Sequence, residues 1–155
     1  MANHKKINIE NLSPEQIAGQ RLMIGFDGLE LSKKLMYFID TLKIGGVILF
    51  SRNINSPGQL SKLCKSIREY AESCEQPELF IAIDQEGGVV SRLKEPFTIF
   101  DGNPGMRNQA DARYFAETTA SELMGAGINM NMAPVLDVSP EGIDSIMKDR
   151  VFGND

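Results

Sequence analysis

The stretch FIAIDQEGGVV, Phe80 to Val90, runs from apolar residues into two acids, Asp84 and Glu86, then into Gly87 and Gly88, with Arg92 just beyond. Acids at the end of an apolar run are compatible with several kinds of chemistry. They can cap backbone amides in a strand-to-helix connection. They can ligate a hard divalent cation, for which oxygen is the right donor, although no third carboxylate or histidine follows nearby. They can serve as an acid and base pair, as carboxylates do in glycosidic bond cleavage. An ionised Asp can also position a polar substrate by accepting its hydrogen bonds. Spacing alone does not rank these readings. The glycines allow a sharp turn and a close backbone approach to a ligand, and Arg92 can return to the same place with paired donors.

The elements around this stretch indicate where it sits. Ser13, Pro14 and Gln16 form a helix-start signature, and RLMIGF, Arg21 to Phe26, reads as the first strand. Leu31, Leu35, Phe38, Ile39 and Leu42 recur at helical spacing until Gly45 and Gly46 stop them. Val47 to Phe50 is a continuous apolar run, as expected of a strand covered on both faces. Ser56 and Pro57 open a helix carrying Leu60, Leu63, Cys64, Ile67 and Tyr70 on one face, and Leu79 to Asp84 is the third strand. After an irregular connection rich in Pro and Gly comes a helix through Ala112, Phe115, Ala116, Thr119 and Leu123, ended by Gly125 and Gly127. Ile128 to Val138 is the fourth strand with its exit loop. Strands alternating with helices imply βαβ units on a parallel sheet. Asn129, Asn131 and Ala133 alternate with Ile128, Met130 and Met132. Amides along one strand face suit the inside of a closed barrel near its mouth, where they find partners or water, better than an open sheet covered by helices. The same parity puts Asp84 on the face of Phe80 and Ala82, at a strand's C-terminal end, where parallel α/β proteins place their ligands.

Composition narrows the partners. The chain has 155 residues, a formal net charge of -5 and a pI near 5.0, within the size of one domain. Its Lys and Arg are scattered, so the basic stripe of a nucleic-acid binder is missing. Small polar or neutral substrates fit better. The two cysteines, Cys64 and Cys74, match no zinc motif and make no disulfide framework. The N-terminal segment lacks the apolar core of a secretory signal, and no apolar run approaches the ~20 residues of a membrane span. A cytoplasmic protein without membrane contact is the expectation.

GGVILFSRNI, FIAIDQEGGVVSRL, GINMNMAPVLDV and DRVFGND occur in this order, and together they resemble the N-terminal half of the catalytic domain of family 3 glycoside hydrolases. The resemblance runs from about Ile17 to the last residue and is closest to the bacterial β-N-acetylglucosaminidase branch. It implies a (β/α)8 TIM-barrel type of fold, of which about the first four β/α units are present as one domain over residues 1–155. The implied activity is removal of terminal β-linked N-acetylglucosamine with retention, through a covalent glycosyl-enzyme intermediate and without cofactor or metal. Asp84 corresponds to the acid that hydrogen-bonds sugar hydroxyls, and Arg92 and Arg150 to two arginines lining the sugar subsite. A short ionised acceptor and forked donors suit a polyhydroxylated ring. Glu86, Gly87 and Gly88 are expected to support the turn, and Asp137 to hold neighbouring backbone or Arg150. Val89 departs from the pattern, since the family usually has Arg there.

In the family, a Lys-His sugar-contact segment, a His-bearing acid/base loop and an Asp nucleophile follow the last of these motifs. No catalytic residue is therefore assigned within the chain, and His4, in the N-terminal tail, is not given that role. The expectation is a partial barrel that turns over no glycoside by itself, with sheet edges that lend themselves to self-association. A non-catalytic sugar-binding or assembly module is one alternative. An unrelated flavodoxin-like α/β protein is another, although DGNPGMRN makes a poor phosphate loop.

Overall fold

The computed structural model describes residues 9–142 and 144–153, so His4 lies outside the described residues. Four strands, β1 (Met23–Gly25), β2 (Gly46–Leu49), β3 (Phe80–Ile83) and β6 (Met130–Asn131), form a parallel sheet in the order β1-β2-β3-β6. The helices are α1 (Pro14–Gly19), α2 (Lys33–Asp40), α3 (Pro57–Ser73) and α4 (Gln109–Ala126). A two-stranded antiparallel hairpin, β4 (Gln85–Gly87) with β5 (Val90–Ser91), sits directly on the end of β3.

Local chemistry sets the helix boundaries. At α1 the Ser13 hydroxyl accepts from the Gln16 amide at 3.2 Å while the Gln16 side chain accepts from the Ser13 amide at 3.0 Å, so two orphan donors are satisfied reciprocally. At α3 the Ser56 hydroxyl accepts from Gln59 N–H at 3.2 Å, with Pro57 in the first turn. Along α3, Leu60, Leu63, Cys64, Ile67 and Ala71 form one buried stripe. That stripe packs with Leu35 and Ile39 of α2, Leu123 and Ala126 of α4, and Val47, Leu49, Ile81 and Ile83 of the sheet. Full burial of each Leu or Ile contributes about 1.5–3 kcal/mol, so the helix-facing side of the sheet is the stable half of the fold. Cys64 lies in it, and desolvation pushes its thiol up to about 11. The thiol is therefore uncharged and inert at neutral pH.

Several expectations are corrected. The first strand is shorter than Arg21 to Phe26, and Leu42 lies beyond α2 and is exposed. On α4 the buried positions are Phe115, Thr119, Leu123 and Ala126, while Ala116 faces solvent. The fourth strand is reduced to two residues, and its amides do not line the inner face. The register pairs Met130 with Ala82 and Asn131 with Ile83, so the methionine, not the amide, shares the face that leads to Asp84. Asn129 is used on the neighbouring strand, accepting from Ile81 N–H at 2.7 Å and donating to the Leu79 carbonyl at 3.0 Å. Asn131 does the same for both backbone groups of Gln85, at 3.0 and 3.1 Å. These two side chains extend a ladder that the short β6 could not supply alone, which is why alternation there reports pairing and not a polar lumen. The sheet face opposite the helices leaves Met23 and Phe80 exposed, so burial on both faces holds only in part.

Candidate functional site

The strand ends converge on one place. Phe50 follows β2, and its ring would lie 3.1 Å from a Cβ on Gly25 at the end of β1. The Arg52 guanidinium stacks over that ring at 4.5 Å and Arg92 approaches it at 5.7 Å. Asp84 follows β3, and its Oδ2 accepts from Arg92 Nη2 at 2.8 Å, with the two side chains 20% and 26% exposed. The sequence places these residues eight apart, and the hairpin closes that gap.

The closure depends on Gln85. Its buried Oε1 accepts the backbone N–H groups of Arg92 and Leu93, each at 2.9 Å, and its Nε2 donates to Ser91 Oγ at 2.8 Å. Capping of backbone amides does occur here, but one residue beyond Asp84, on a neutral side chain. Gly87 and Gly88 have φ of +84° and +56°, a conformation that costs glycine little and other residues much. Gly87 also crosses the backbone of Gly102 so closely that a Cβ would sit 2.7 Å from the Gly102 nitrogen. Gly88 N–H donates to the Phe100 carbonyl at 2.7 Å across the same crossing. Val89, at the tip, is exposed.

Glu86 has a different partner. It is almost fully buried, and both its oxygens are taken by Arg150, with Nε to Oε2 at 2.9 Å and Nη2 to Oε1 at 2.7 Å. This forked geometry is the strongest form of a side-chain ion pair, and it spans 64 residues of sequence. The bidentate contact with Glu86 raises Arg150 above the ordinary arginine value, against partial desolvation, and the charges of Asp137 and Asp84 act in the same direction. Nη1 of Arg150 lies 3.3 Å from Met147 Sδ. Asp137 is exposed and acts on Arg150 through its charge.

The site thus gathers Asp84, Arg92, Glu86, Arg150, Gly87 and Gly88, with Asp137 at its margin. Each acid faces a guanidinium, an arrangement that disfavours a cation between them. Among the described residues no three His, Cys, Asp or Glu side chains are grouped to hold a metal. Asp84 is the acid whose pairing leaves part of it open to a ligand, whereas Glu86 is enclosed.

Three buried amides were not legible as site residues. Gln85 builds the hairpin. Asn53 joins the loop after β2 to that after β1, donating to the Phe26 and Gly28 carbonyls at 3.1 and 2.9 Å and accepting from Phe50 N–H at 3.0 Å. Asn103 donates to the Val135 and Arg150 carbonyls at 3.0 and 2.9 Å. Asparagine and glutamine are common in loops, and nothing in their spacing announces partners that only tertiary structure supplies.

Known proteins resemble this chain in sequence and fold. The family model described as glycosyl hydrolase family 3 N terminal domain matches residues 14–155. A β-hexosaminidase of Alkalilimnicola ehrlichii is 39% identical over 141 residues, covering 84% of this chain and 39% of that protein. A solved glycoside hydrolase family 3 β-N-acetylglucosaminidase from Paenibacillus sp. superposes with a TM-score of 0.87 at 37% identity, over 92% of this chain and 28% of that one. NagZ from Neisseria gonorrhoeae, solved in complex with N-trifluoroacetyl-D-glucosamine, superposes with a TM-score of 0.71 at 29% identity, over 85% and 40% of the respective chains. The chain therefore spans about two fifths of the length of the curated relatives it matches. The parallel sheet and its helices are the corresponding part of a TIM-barrel type fold, which sets aside the flavodoxin-like alternative.

Proposed function

The chain belongs to glycosyl hydrolase family 3, and from that premise we propose that it supplies part of the sugar-binding subsite of a retaining exo-β-N-acetylhexosaminidase, which removes terminal β-linked N-acetylglucosamine. The observation that carries this reading is the half-open Asp84–Arg92 pair at the C-terminal end of β3. Its position is where barrel enzymes hold substrates, in a chain similar over most of its length to β-hexosaminidases. Asp84 accepts hydrogen bonds from sugar hydroxyls, Arg92 donates beside it, and Arg150 uses the donors that Glu86 leaves over. Glu86, with both oxygens engaged, holds Arg150 and takes no part in bond cleavage. The nucleophile and the proton donor, which must flank the scissile bond about 5 Å apart, are other residues than these two acids. No helix among the described residues is long and apolar enough to cross a membrane. The free thiols Cys64 and Cys74 suit a reducing compartment such as the cytoplasm.

The test is kinetic. The full-length protein is expected to release 4-nitrophenol from its β-N-acetylglucosaminide with kcat/KM at least about a hundredfold above that for the β-glucoside. A site that hydrogen-bonds a substrate group rejects the analogue lacking it by at least that much, up to about 10⁴–10⁵-fold. Equal rates, or release from neither, would contradict the assignment.

A further inference from the structure

Asn103 joins the connection crossed by the β4–β5 turn to the main chain of Arg150. Asn103 is 3% exposed. Both of its N–H donors are committed, to the carbonyls of Val135 and Arg150, 32 and 47 residues away. Its Oδ1 is buried without a hydrogen-bond partner, so the donors alone fix the amide's orientation. Rotating it would turn an oxygen toward two carbonyls. The segment leading into Asn103 is the one that Gly87 and Gly88 cross, through Phe100 and Gly102. Glu86, immediately before that crossing, is the acid that grips the Arg150 side chain. The Glu86–Arg150 fork is thus anchored at both ends by one connection: the acid's end through the Gly87–Gly102 crossing, the arginine's end through Asn103.

We propose that Asn103 is a positioning residue for the sugar subsite, fixing the Arg150 main chain so that its guanidinium meets Glu86 and presents its remaining donors to the substrate. This rests on the sugar-subsite reading of Arg150 given above. The effect works through placement: a forked guanidinium tolerates little displacement of its backbone before one of its two bonds is lost, and precise sites depend on such support. Asn103→Ala takes the donor from the buried Val135 carbonyl and from the part-buried Arg150 carbonyl, a costly change. Asn103→Ser keeps one donor at shorter reach and is the milder variant should the alanine protein fold poorly.

Two measurements on the full-length protein test this. The first does not depend on sugar. The Nε–H resonance of Arg150, protected by Glu86, is expected in 1H–15N spectra of the wild type, to weaken in Asn103→Ser and to vanish in Asn103→Ala. A core control of comparable instability, Leu123→Ala, keeps it. Persistence of that resonance in both Asn103 variants would overturn the proposal. The second is a double-mutant cycle on kcat/KM for an aryl β-N-acetylglucosaminide. Asn103→Ala alone is expected to lose roughly tenfold, and to lose nothing further in an Arg150→Ala background, since residues acting through one another are not additive. Losses that multiply would assign Asn103 to general stability and overturn the positioning role. A wild type inert toward the glycoside would instead count against the sugar reading, and the resonance would still decide whether Asn103 places Arg150.

Discussion

Asp84 and Glu86 stand two residues apart and are each paired with an arginine, yet their environments differ. Asp84 meets Arg92 through one hydrogen bond, within a hairpin, and stays partly open. Glu86 is enclosed, meets Arg150 through two, and ties the hairpin to a segment 64 residues on. Strand parity does not explain the divergence, since residues two apart in an extended segment share a face; the partners do, one eight residues on and the other 64. A paired acid can thus serve the substrate or the scaffold. Openness and the number of bonds separate the two.

Substitution should separate them as well. The largest effect is expected for Glu86→Ala, which leaves the Arg150 charge without its partner. A loss of about 3 kcal/mol in unfolding free energy follows for breaking such a pair, at the lower end of the usual range because Arg150 keeps some solvent contact. Denaturant midpoints measure it, and a change under about 1 kcal/mol would erase the distinction. Asp84→Asn is the complementary case. Hydrogen bonds to a charged acceptor are worth roughly 1.5–3 kcal/mol, so kcat/KM for a β-N-acetylglucosaminide should fall about 10- to 100-fold. Stability should move by less than about 1 kcal/mol, since the pair is partly solvated. A protein that unfolds without losing specific activity would reverse the two roles. The smallest effect belongs to Asp27→Ala. Asp27 contacts Arg52 at only 2.7 Å, but its side chain is 91% exposed, and exposed pairs contribute little. An unchanged midpoint is expected, and a clear drop would show that short distance, not enclosure, governs these contacts.

Much of the frame was legible. The Ser13 and Ser56 caps, the α3 stripe and the three longer strands follow from local propensity and apolar periodicity, which act over a few residues. The charged members of the site were legible through motif resemblance, and Asp84 with Arg92 meets as the spacing allowed. The hairpin β4–β5 was not, because it is closed by Gln85, whose bonds to Arg92 and Leu93 no alternation signals. The β6 amides misled for a related reason: Asn129 and Asn131 replace strand hydrogen bonds, and their pattern imitates a polar face. Asn103 stands in a Pro- and Gly-rich connection whose irregularity hides how firmly it is held. Residues that act through burial and distant carbonyls leave no periodic trace in the chain.

The central claim is that Asp84 touches the sugar while Glu86 acts only through Arg150. A crystal structure of the full-length protein with N-acetylglucosamine bound tests it most directly. A sugar hydroxyl oxygen should lie about 2.5–3.0 Å from the Asp84 carboxylate, with the Glu86–Arg150 fork intact beneath it. A sugar held by Glu86, or bound away from the end of β3, would contradict the account.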